Sequence, residues 1–172
     1  MISAHPKLTI NAAFLQEIKD DNLRLYGLLD QLRACWLVND PDVFRPEWFT
    51  ELICDLRDQI AMHFALENAF GYFEKPLTSD PLLSAEAQRL LDQHEELYLQ
   101  ICSIAEGAEA LLYPEIDEAG YSRQVDLFRE FYKAFQAHES AEFDLMMNVC
   151  LKQQKENRPL VSSDQEAGFC GR

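Results

Sequence analysis

The sequence predicts an all-α protein, an antiparallel up-and-down four-helix bundle, on three observations. Punctuation is sparse: 6 glycines and 7 prolines in 172 residues, roughly 8% against a usual ~12%. That favours a few long elements over many short strands. The turn-formers gather into three breaks, at 39–46, 76–81 and 114–120, leaving segments over about residues 9–37, 47–75, 82–112 and 121–150. Each segment carries apolar residues at alternating steps of three and four, the pattern of a helix with one face toward a core. Short breaks between long helices make consecutive helices antiparallel neighbours.

The first segment presents Leu15, Ile18, Asn22, Leu25, Leu29, Leu32 and Trp36 on one face, with Thr9 or Asn11 as its cap. The second presents Leu52, Leu56, Ile60, His63, Glu67 and Phe70 and starts at Pro46. The third presents Leu83, Ala87, Leu90, His94, Leu97, Ile101, Ile104, Ala108 and Leu111, with Ser84 early in it. The fourth presents Phe128, Phe131, Phe135, His138, Glu142, Leu145 and Val149, capped by Ser122. Residues 1–151 thus form one bundle domain. Residues 152–172, with Pro159, Ser162, Ser163 and Gly168 and little apolar content, read as a mostly disordered tail.

The chain is 48% hydrophobic and 11% aromatic, enough for one sizeable core. Fifteen basic against thirty acidic residues leave a formal charge of −15. Such a surface repels phosphate backbones and anionic lipid, so no nucleic-acid and no membrane partner is expected. No apolar run is long enough to span a bilayer, and residues 1–16 lack the basic and apolar regions of a signal peptide. Cys35, Cys54, Cys102, Cys150 and Cys170 form no C-x-x-C pair. An odd, scattered set reads as reduced thiols packing between helices in a cytoplasmic protein.

The ladders are informative where they break. Asn22, His63, Glu67, His94, His138 and Glu142 occupy core positions, and the break in each segment falls 12 or 13 residues from the same end of the bundle. One layer of the core therefore collects three imidazoles, two carboxylates and an amide. A buried carboxylate without a partner costs several kcal/mol, and no Lys or Arg lies on a nearby ladder position. A metal ion supplies the missing positive charge. His and Glu at i and i+4 share a helical face and can reach one centre, and that pair occurs twice, as His63–Glu67 and His138–Glu142. An internal repeat reinforces the pattern: Asn22 precedes His63 by 41 residues and His94 precedes His138 by 44, with Tyr26 and Tyr98 at +4 from the first member of each pair. Two related helix pairs facing each other suit two metals sharing carboxylate bridges. The competing reading is a metal-free His–Glu hydrogen-bond network. His5 beside Pro6 reads as a solvated terminal residue, and Glu95, Glu96 and Glu139 as off-seam acids on solvated faces, one of which could orient a ligand. Tyr26 and Tyr98 flank the seam as packing residues.

Over about residues 11–150 the chain resembles the hemerythrin-like, or HHE cation-binding, domain family. The matching stretches are HFALE at 63–67, DQHEEL at 92–97 and AHESAEFDLM at 137–146. The resemblance implies a non-haem di-iron centre in a four-helix bundle, with zinc a possible occupant after purification. It implies that Glu67 and Glu142 bridge the metals, that His63 is a terminal ligand of one, and that His94 and His138 hold the other. Two positions depart from the family pattern. Asp21-Asn22 stands where Asp-His is usual, so the Asn22 carbonyl would be a weak ligand, and Tyr98 stands where oxygen carriers have a second His on helix three. These departures imply an asymmetric centre with one labile metal, or a single metal, and argue against an efficient oxygen carrier.

The expected function is binding or sensing of O₂, NO or peroxide, or iron handling, which imidazole and carboxylate ligands with an open position suit. No separate proton donor or substrate-sized polar constellation indicates turnover of an organic substrate. The alternative is a metal-free bundle kept as a protein interaction module.

Overall fold

In the computed structural model the described residues are 12–37, 45–69, 80–113 and 118–156. They form four helices: α1 Ala12–Leu37, α2 Pro46–Ala69, α3 Pro81–Ala110 and α4 Glu118–Glu156. Among the described residues there is no strand. The expected all-α four-helix bundle is the observed architecture.

Local chemistry explains the helix boundaries. Pro46 opens α2 as expected, since a proline at the first helical position gives up no needed N–H. Asp80 caps α3 from an extended backbone, its carboxylate accepting from the Leu82 N–H at 2.8 Å, with Pro81 next. Ser84 therefore lies one turn inside α3. Ser122, expected to cap α4, lies inside it, because α4 already begins at Glu118. Thr9, Asn11, Phe70 and the side chains of Leu15 and Ile18 lie outside the described residues.

The far end of α4 differs from the expected boundary. The helix runs on through Glu156, so the first five residues of the expected disordered tail continue it. Lys, Gln and Glu are good helix formers, and the Lys152 ammonium pairs with Asp80 at 2.6 Å, tying the end of α4 to the start of α3. Residues 157–172 lie outside the described residues.

Each helix packs on its chain neighbour and α4 closes on α1. Cross-helix contacts give the directions. Thr50 donates to the Ala108 carbonyl at 2.8 Å while Glu67 lies near His94, so α2 and α3 are antiparallel. Trp36 packs on Phe128 and Tyr26 reaches Glu139, so α1 and α4 are antiparallel. Gln93 faces His138 and Asp80 faces Lys152, so α3 and α4 are antiparallel too.

The buried apolar residues fall into two clusters. The larger takes in Leu25, Leu32, Phe49, Ile53, Leu56, Ile60, Ile101, Phe128, Phe131 and Phe135 from all four helices. The smaller holds Leu83, Ala87, Leu90, Leu145 and Val149 from α3 and α4. His94 lies in sequence between Leu90 and Leu97, and His138 and Glu142 lie between Phe135 and Leu145, so the polar layer separates the two clusters.

Candidate metal centre

The α-helical period places His63 and Glu67 on one face of α2, and His138 and Glu142 on one face of α4. With His94 from α3, all five side chains are buried. The polar layer expected from the ladder breaks is present. Glu67, His94, His138 and Glu142 each offer one ligand atom, and these atoms lie within 4.8 Å of one another. His63, Glu67 and Glu139 form a second such group. Glu67 belongs to both. Two ligands bound at about 2.1 Å to one ion lie at most about 4.2 Å apart, so a modest contraction would bring either group to bonding distance. This buried set of His and Glu residues could hold a metal ion.

Within the first group, His94 Nε2 stands 3.1 Å from Glu142 Oε1 and 3.5 Å from Glu67 Oε2. His138 Nε2 is also 3.1 Å from Glu142 Oε1. On its other side His138 Nδ1 donates to the Gln93 amide oxygen at 3.1 Å, which sets the tautomer and leaves the Nε2 lone pair facing the cluster. Among the described residues, His138 Nε2 and Glu67 Oε2 are buried without a hydrogen-bond partner. Phe64 walls the layer. It stacks on His94 at 4.1 Å between centroids and 10° between planes, and meets His138 edge-on at 5.7 Å.

In the second group, His63 Nε2 donates to Glu139 Oε1 at 3.1 Å and stands 3.2 Å from Glu67 Oε1. The Tyr26 hydroxyl donates to the other oxygen, Glu139 Oε2, at 3.2 Å. Glu139 is thus no solvated acid: its side chain is 21% exposed and turned to the site. Glu95 and Glu96 are exposed as expected. Tyr26 and Tyr98 are 47% and 37% exposed, at the edge of the core, and Tyr26 reaches the site through its hydroxyl. Asn22 is half-buried one turn before Tyr26 and, among the described residues, makes no hydrogen bond to the cluster. Of the cysteines, Cys35 is buried, Cys54 and Cys102 are half-buried, and Cys150 is exposed, so Cys150 is not packing filler. His5 and Cys170 lie outside the described residues.

The charges respond to this crowding. Burial opposes the His63 cation, yet its hydrogen bonds to Glu139 and Glu67 carry it up to about 11. Burial, with the nearby Glu142 and Glu139 carboxylates, pushes Glu67 up to about 7 against the pull of His63. Burial acts to raise Glu142 as well, but the close imidazoles of His138 and His94 bring it down to about 2. Burial and the Glu139 carboxylate push Tyr26 up to about 12, so its phenol remains a donor at neutral pH.

Glu139, Gln93 and Phe64 are the site residues that the ladder pattern did not single out. Glu139 carried one available signal, since it adjoins His138 in sequence. Among the described residues no helix is long and apolar enough to cross a membrane. No family model, no curated protein and no solved structure matches the chain.

Proposed function

We propose that the chain is a hemerythrin-like non-haem iron protein whose buried layer holds two metal ions sharing carboxylate ligands. Glu67, His94, His138 and Glu142 would hold one ion, and His63, Glu67 and Glu139 the other. The family resemblance implies Glu142 as a second bridge, whereas its ligand atom belongs to the first group alone, and Asn22 would be at most a weak additional ligand. The observation that carries the reading is the convergence of His and Glu ligand atoms into two groups, each within 4.8 Å, that share Glu67. Bound iron would supply redox chemistry and an open position for a diatomic ligand or peroxide.

The residues of the chain do the rest. Gln93 orients His138, Phe64 and the apolar clusters exclude water, and the carboxylates balance the charge of the metals. The layer suits sensing or storing a small molecule, or holding iron.

Elemental analysis of protein refolded with Fe(II) under anaerobic, reducing conditions tests the proposal. About two irons per chain supports it, and about one supports the asymmetric form. None after reconstitution would favour the metal-free bundle acting as an interaction module.

A further inference from the structure

The two ligand groups differ in enclosure. All four residues of the Glu67–His94–His138–Glu142 group are buried, and they come from α2, α3 and α4. The other group has three residues, and its Glu139 side chain is 21% exposed. On the α1 side of that carboxylate stands Tyr26, a residue 47% exposed. Glu139 therefore faces two ways, with Oε1 toward His63 inside and Oε2 toward a phenol at the surface. A site with four buried protein ligands is closed, whereas one with three leaves a position open to exchange.

Building on the two-metal reading above, we propose that the His63–Glu67–Glu139 position is the exchangeable half of the centre, where metal enters and leaves, and that Tyr26 is the positioning residue that latches Glu139 over it. The hydroxyl holds the carboxylate in the orientation that aims Oε1 at the site. Without that hydrogen bond the Glu139 side chain, already in reach of water, can rotate away and open a path that the four-ligand position lacks. The His94–His138 half exchanges slowly because no ligand there can leave without unpacking the core.

The test is metal release from the full chain loaded to saturation with Zn(II) and mixed with a chromophoric chelator. Wild type should release two metals in two phases of equal amplitude. Tyr26→Phe keeps the ring and removes the hydroxyl. It should speed the fast phase about tenfold, the lower end of what loss of an outer hydrogen bond to a ligand does to metal retention. The slow phase, the stoichiometry and the helical circular dichroism should not change. Glu139→Gln should lose the fast phase and retain one zinc. A general loosening of the bundle would speed both phases together, and that result overturns the latch, as does a Tyr26→Phe protein with both rates unchanged. Two metals leaving wild type at one rate, or two retained by Glu139→Gln, would defeat this proposal while leaving the two-metal centre standing. A chain that takes up no zinc and no iron would remove the centre itself.

Discussion

Gln93 on α3 holds His138 on α4 by its outer nitrogen, the amide oxygen 3.1 Å from Nδ1. The contact crosses a helix interface and leaves Nε2 facing the cluster. Outer partners of this kind typically contribute 10–100-fold to metal affinity. Gln93→Leu should therefore weaken metal binding by about that factor while the bundle stays folded, because Gln93 is only partly buried. Competition titration against a chelator of known affinity measures it. Unchanged affinity would show that His138 needs no such support.

Glu67→Ala and Glu142→Ala should both remove metal binding, and their effects on stability should depend on metal. Metal bound only by the folded state adds stability with its concentration, so both variants should melt well below the loaded wild type. Without metal the picture changes for Glu67, whose burial among other carboxylates is unfavourable. Metal-free Glu67→Ala should be at least as stable as metal-free wild type. An equal large loss with and without metal, seen by thermal melts, would point to a structural network.

Glu139 takes the place beside His63 where the sequence alone pointed to Asn22. Asn22→Ala should accordingly leave metal stoichiometry unchanged, as measured by elemental analysis. If instead it drops by one, Asn22 supplies a ligand that Glu139 does not replace.

Metal uptake should strengthen as pH rises. In the metal-free protein His63 is held well above its ordinary range by its carboxylate partners and Glu67 is raised by burial, so at neutral pH the first carries a proton and the second is held back from full ionisation. Both must be deprotonated to bind metal. Affinity should fall as pH drops from 8 to 6, and loading at pH 7 should release at least one proton. Calorimetry in two buffers of different ionisation enthalpy reads that number. No proton release would mean that His63 does not ligate.

Phe131 is fully buried and stacks on Phe135 at 6.0 Å in the larger cluster, away from the polar layer. Phe131→Ala should cost about 3–5 kcal/mol, measurable by urea denaturation, without changing the metal-to-protein ratio of the folded fraction.

The four helices and five of the buried site residues were legible because both depend on period. A ladder of steps of three and four shows which face of a helix is inward, and a His or Glu on that ladder is inward whatever the neighbour is. Thus His63, Glu67, His94, His138 and Glu142 could be assigned to the core before any packing was known, and all five are buried. At the end of α4 low apolar content does not mean disorder, because Lys, Gln and Glu extend a helix well and Lys152 pairs with Asp80.

Glu139 shows what a single-helix pattern leaves open. Consecutive residues of a helix point about 100° apart, so His138 and Glu139 face different neighbours. In a four-helix bundle one helix borders two others and looks across at a third, and its inward arc is wide enough for both residues. His138 meets Gln93 of α3, while Glu139 meets His63 of α2 and Tyr26 of α1. Period along the chain determined that there is a polar layer and which residues most clearly belong to it. Which carboxylate completes the group around His63, and which outer residues hold the ligands, was decided only by how the four helices are rotated against one another, since that rotation is set by packing between segments far apart in sequence.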